Sequence, residues 1–224
     1  MKKINWLHLS DLHVGCKEYG WIWPTIKKSF FEDIKRQHDK NGPWDLVVFT
    51  GDLTFSGQEY QEFENLLQEI WAKFLEVGST PQLAIIPGNH DFVRPGHLSA
   101  IAKAFGTWHS DIDLRRAFWE TEENEYKIFI KHAFQNYLTW VSSTKIPLIS
   151  SKRGLIPGDF SASLSFNGCS LGIVGLNTAF LQLSDDFCEG KLSIHQKQFH
   201  DLLGSSFTEW FKAHDFNMLT WLCP

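Results

Sequence analysis

The sequence predicts an α/β domain built around a parallel sheet, and three observations predict it. Short, largely apolar runs, Ile4-Asn5-Trp6-Leu7-His8-Leu9, Leu46-Val47-Val48-Phe49 and Leu83-Ala84-Ile85-Ile86, read as core strands. The segments between them repeat apolar residues every three or four positions, the period of a helix with one buried face. Each run ends in side chains able to ligate a metal: Asp11 and His13, then Asp52, then Asn89-His90-Asp91.

Taken in order, residues 4 to 9 are the first strand. Ile26, Phe30 and Ile34 then place a helix over residues 25 to 40, stopped by Asn41-Gly42-Pro43. The second strand, residues 46 to 49, ends in Thr50-Gly51-Asp52. Tyr60, Phe63, Leu67, Ile70 and Phe74 predict a crossover helix closed by Gly78. The third strand, residues 83 to 86, runs into Pro87-Gly88-Asn89-His90-Asp91, the densest polar cluster in the chain. A β-α-β-α-β order makes these strands parallel through right-handed crossovers, so their C-terminal ends share one edge, where open α/β sheets bind ligands.

Residues 97 to 146 read as a helical insertion rich in aromatic residues. Its stripe of Tyr126, Phe129, Ala133, Phe134, Tyr137 and Val141 is expected to pack in the core, and the insertion to roof the site. Strict alternation over Phe160 to Phe166, the Asn167-Gly168 turn and an apolar strand ending at Leu176 open a second, antiparallel layer. Ser193 with Gln196 reads as a capping box for one helix reaching about Lys212, before a last strand from Phe216 to Leu219. No repeat, low-complexity tract or linker divides the chain, and a single domain spanning residues 1–224 is expected.

Composition bounds the function. Hydrophobic residues at 43% and charged residues at 21% are those of a globular domain, and 10 Trp with 19 Phe call for extensive burial. A net charge of −5 gives no general attraction to nucleic acid or anionic membrane, so a nucleic-acid substrate is not indicated by charge. The 4 cysteines, Cys16, Cys169, Cys188 and Cys223, are far apart and without a C-x-x-C pair, which argues against a disulfide framework or zinc knuckle. No apolar run approaches the ~20 residues that span a bilayer. A cytoplasmic location is the expectation.

Asp11, His13, Asp52 and Asn89 bring two carboxylates, an imidazole and an amide oxygen to one rim, a mixed donor set that suits manganese, iron or zinc. Asp52, from the middle strand, has an oxygen for each of two cations, and two metals about 3.5–4 Å apart clamp a phosphoryl group during in-line displacement. His90 is placed to serve the leaving oxygen, with Asp91 to orient its ring. His195 at a helix start, His97 and His109 in the insertion, and His214 at the far end of the last strand are not counted among the ligands.

Ser10-Asp11-Leu12-His13, Thr50-Gly51-Asp52 and Gly88-Asn89-His90-Asp91 resemble, in order and spacing, the first three signature motifs of the calcineurin-like metallophosphoesterases. The resemblance extends from residue 4 to about 220. It implies a two-sheet β-sandwich flanked by helices, and a phosphate-ester hydrolase with two divalent metal ions. By the motif match, Asp11 and His13 hold the first metal, Asp52 bridges, Asn89 holds the second, His90 assists the leaving group and Asp91 supports His90. Substrates in the family range from phosphoproteins and nucleotides to nucleic acid ends. The family's later histidine elements, including a Gly-His-x-His motif, do not occur in this sequence. The expectation is therefore a C-terminally truncated sandwich with an unpaired edge, which invites an additional domain or complementary segment. The alternative is a truncated or degenerate, non-catalytic module with this fold, acting in binding or regulation.

Overall fold

The computed structural model describes residues 2–18, 20–95, 99–121, 123–183, 192–204 and 206–221. The first layer is a parallel sheet of β1 (Trp6–Leu9), β2 (Leu46–Thr50) and β3 (Gln82–Ile86) in the order β1-β2-β3, with Trp6 and Gln82 both level with Leu46. The expected parallel arrangement is thus formed, and all three strands end on one edge. Between them run α1 (Ile22–Asn41) and α2 (Tyr60–Glu76). α1 begins earlier than its apolar spacing indicates, because Pro24 falls in the first turn, where a missing N–H costs nothing.

The second sheet has the order β4-β5-β6-β7, from Lys152–Arg153, Phe160–Phe166, Cys169–Leu176 and Phe216–Trp221. β4, β5 and β6 are antiparallel as expected, whereas β7 runs parallel to β6, returned by α7 (Gln196–Leu203) and α8 (Phe207–Lys212). The period of two sorts side chains between layers. Leu46, Val48, Ala84 and Ile86 meet Phe160, Ala162, Leu164 and Ile173 between the sheets, while Val47, Phe49, Leu83 and Ile85 face the helices. A sandwich flanked by helices is the result.

One helix was expected after Ser193; two are found. His195, not Ser193, is the N-cap of α7, with Gln198 completing the capping box, and Gly204 in a left-handed conformation ends the helix before α8. The insertion supplies α3 (Ala100–Phe105), α4 (Ile112–Glu120), α5 (Glu125–Ala133) and α6 (Gln135–Ser143). Its aromatic stripe serves packing: the Tyr137 hydroxyl donates to the Ile85 carbonyl at 3.2 Å, and Trp140 stacks on Tyr60. His97 lies outside the described residues.

Gln198 also ties the layers together. Its amide donates to both oxygens of the fully buried Asp159, which accepts from the Asn177 N–H at 2.7 Å as well. Burial pushes the Asp159 carboxyl up to about 8, against these donors. Above pH ~4 the unfolded chain has released this proton and the native chain retains it, so stability falls as pH rises until about 8, by at most about 1.4 kcal/mol per pH unit. Melting temperatures of the metal-free protein measured between pH 5 and 8 should therefore decline, and decline less steeply in Asp159→Asn; equal slopes would contradict this account.

Candidate metal centre

The loops leaving β1 and β2 extend the parallel pairing past the strands. Asp11 donates its N–H to Gly51, His13 to Asp52 and Val14 to Leu53, and Phe55 returns a bond to Val14, at 2.9–3.2 Å. This register sets Asp11 and His13 alongside Asp52. Among the described residues, four other than glycine have positive φ: Asp11 (57°), His13 (43°), Asp52 (54°) and Asn167 (49°). Asn167 belongs to the β5–β6 hairpin turn, where such values are required. The other three lie on the rim, and conformations of this kind persist only where the surrounding structure enforces them.

The third loop closes directly on Asp52. A Cβ at Gly88 would stand 2.2 Å from Asp52 Oδ1, so a residue with any side chain would displace the carboxylate. The His90 N–H donates to the same oxygen at 3.2 Å. Asp91, fully buried, fixes the two loops to each other: it accepts from the N–H groups of Leu53 and Thr54 at 2.9 Å, from the Thr54 hydroxyl at 3.2 Å and from the Gly88 N–H at 2.7 Å. Burial pushes its carboxyl up to about 7, opposed by the Gly88 and Thr54 donors.

His13 Nε2 stands 3.8 Å from Asp11 Oδ1 and 3.9 Å from Asp52 Oδ2, and the His13 and His90 rings meet edge to face at 4.7 Å. One donor atom from each of His13, Asp52 and His90 lies within 4.8 Å of the others. Donors sharing one ion at ~2.1 Å stand roughly 3–4 Å apart, so two imidazoles and a carboxylate here need only small rotations to enclose one. Two further features fit a cation. Burial raises the pKa of Asp52, a carboxylate short of compensating charge, and His13 Nδ1 is buried with no hydrogen-bond partner. Asp11, with a largely exposed side chain, lies beside His13, and the half-buried Asn89 precedes His90 in the chain.

The sequence places Asp91 behind the His90 ring, but its bonds go to the loop backbones and to the Thr54 hydroxyl. The ring is held instead by Phe55, whose carbonyl bonds Nδ1 at 2.9 Å and whose side chain stacks on it with centroids 5.7 Å apart. A carbonyl accepts only, so Nδ1 carries a hydrogen and Nε2 is left to face the rim. Thr54, Phe55 and Tyr60, whose hydroxyl donates to the Asp91 carbonyl, were missed as site residues. A hydroxyl within the apolar stripe Tyr60, Phe63, Leu67, Ile70 and Phe74 was the available sign for Tyr60. His195 caps α7 and stacks on Trp119, and His214 bonds Trp210 and Ser163; neither belongs to the rim group.

A family model for calcineurin-like phosphoesterases matches residues 4–215, nearly the whole chain and all three loops. The chain belongs to the calcineurin-like phosphoesterase family. A search of curated proteins returns no match. In this phosphoesterase the matched region begins just ahead of β1 and ends at the residue before β7. No helix among the described residues is long and apolar enough to cross a membrane.

Proposed function

We propose that this protein hydrolyses phosphate mono- or diesters with two divalent metal ions, manganese, iron or zinc, held by Asp11, His13, Asp52 and Asn89. The observation that carries the reading is the convergence of His13, Asp52 and His90 from three separate loops, two of them in left-handed backbone. When bound, the ions supply Lewis-acid polarisation of the phosphoryl oxygens. Asp52, in the middle, has one oxygen for each side of the group, and its Oδ1 is oriented by the His90 N–H. The Phe55 carbonyl fixes the His90 tautomer, so a protonated ring carries its second hydrogen on Nε2. As a water oxygen bonds to phosphorus and gives up a proton to solvent, the bond from phosphorus to the ester oxygen breaks and the His90 hydrogen passes to that leaving oxygen, while Asp91 keeps the His90 and Asp52 loops in register throughout.

The test is hydrolysis of bis(p-nitrophenyl) phosphate and of a dialkyl diester. EDTA should abolish turnover and manganese restore it. His90→Asn should lower turnover about 100-fold, more for an alkoxide than for a nitrophenolate leaving group, with metal content unchanged. Loss of metal from this variant would transfer His90 to the ligand set. Turnover indifferent to both the chelator and the substitution would sink the proposal.

A second reading, a module acting in binding or regulation, is favoured by the open side of the sandwich. Among the described residues β1 and β7 are edge strands, and Trp6, Phe216 and Leu219, each 40–46% exposed, line a cleft of about 500 Å³ there. We propose that an additional domain or complementary segment covers this edge, since unpaired backbone flanked by large apolar side chains promotes association. Replacing Phe216 and Leu219 together by lysine should reduce self-association in sedimentation velocity. An unchanged sedimentation profile would show the edge to be inert.

A further inference from the structure

Phe55 holds the His90 ring, yet its own side chain is 44% exposed beside that member of the metal cluster. A single exposed phenylalanine is ordinary on a protein surface and says nothing by itself. This one sits on a backbone fixed from both sides. Its N–H donates to the Val14 carbonyl at 2.9 Å, and its carbonyl bonds His90 Nδ1 at 2.9 Å. The residues that follow are tied down as well: the Ser56 N–H donates to Glu59 at 3.0 Å, the Gly57 N–H to the Thr54 hydroxyl at 3.1 Å, and the Asn136 amide to the Gly57 carbonyl at 2.8 Å. A ring carried on so constrained a loop has little backbone freedom to lose when a ligand settles on it.

Holding His90 does not occupy the whole ring. The carbonyl fixes the tautomer, and the two rings meet with centroids 5.7 Å and planes 27° apart, whereas rings in full face-to-face overlap would have centroids about 3.5–4 Å apart. Phe55 thus covers the imidazole only in part and keeps apolar surface free next to it. In the proposed hydrolysis the leaving oxygen takes its hydrogen from His90 Nε2 at about 3 Å, and a substituent one or two bonds further on comes within reach of the phenyl ring. A flat ring can stack on that phenyl group or meet it edge to face, an attraction that a saturated ring of the same size lacks. We infer that Phe55 is a specificity-determining residue that receives the leaving group, and that the substrate is a phosphate ester of an alcohol with a flat aromatic ring next to the ester oxygen. The inference rests on the proposed hydrolysis, which is what puts the leaving oxygen at His90.

The probes are 2-phenylethylphosphonate and 2-cyclohexylethylphosphonate, in which a methylene replaces the ester oxygen and cannot be hydrolysed away, titrated by calorimetry into the manganese-loaded full chain. The phenyl compound should bind about fivefold tighter, although the cyclohexyl one is the more hydrophobic. Phe55→Leu, which keeps the carbonyl that holds His90, should erase the difference, and Phe55→Tyr should retain it. The kcat/KM ratio of benzyl phosphate to cyclohexylmethyl phosphate, whose leaving alcohols are of similar acidity, should change in the same order. Equal affinities in the wild type, no measurable binding of either phosphonate, or a preference that survives Phe55→Leu would each overturn the inference. A parallel fall in both turnovers with the ratio kept would also overturn it, leaving Phe55 as a support for His90. Failure of the hydrolysis reading looks different: the phosphonates would bind with the Phe55-dependent preference while neither phosphate ester was turned over.

Discussion

Asp52→Asn will lower metal-dependent phosphodiester hydrolysis by about 1000-fold, a loss of roughly 4 kcal/mol of transition-state stabilisation. Asp52 is the middle residue of the cluster, faces His13 at 3.9 Å and is nearly buried. An amide retains the oxygen that accepts from the His90 N–H but has no negative charge, and its NH₂ turns two hydrogens toward the position a cation would fill. Folding should not suffer. Burial raises the pKa of Asp52, so the charge is unfavourable in the metal-free protein, and removing it should leave the melting temperature equal to or above that of the wild type at pH 8. The signature is thus opposed effects: metal content and turnover fall while metal-free stability holds. Turnover within tenfold of the wild type would remove Asp52 from the centre of the mechanism.

The strands and rim residues were legible because they obey short-range rules. Leu46-Val47-Val48-Phe49 has an unbroken apolar pattern, and a polar residue at the end of such a run must emerge at the sheet edge. The return of β7 parallel to β6 was less visible, since the period of two states which faces are buried and not the direction of pairing. The partner of His90 was hidden for a different reason. Phe55 acts through its backbone carbonyl, a group every residue possesses, so its identity held no signal. Adjacency misplaced Asp91 in the same way. Consecutive side chains in this turn diverge, sending the ring of His90 toward Phe55 and the carboxylate of Asp91 inward to Leu53, Thr54 and Gly88.

That divergence makes Asp91→Ala the substitution with the largest expected effect on stability. Alanine would leave the N–H groups of Leu53, Thr54 and Gly88 buried without their acceptor and open a cavity between the second and third loops. Each orphaned donor costs about 1–3 kcal/mol before relaxation and water entry, so a total of roughly 3–5 kcal/mol is expected. In a chain of this size that lowers the melting temperature by roughly 10 °C or more. Asp91→Asn keeps one acceptor oxygen for Leu53 and Thr54 but turns an NH₂ toward the Gly88 N–H, and should lose about half as much. The order Ala worse than Asn separates a clamp from a charge: if only the carboxylate's charge mattered, the two variants would match. Because Gly88 and Asp52 are in contact, a loosened clamp also displaces the carboxylate that the proposed chemistry requires. Both variants should therefore lose turnover below their own melting temperatures, in the same order as they lose stability. A loss under about 1 kcal/mol in Asp91→Ala would show that the loops are held by something else.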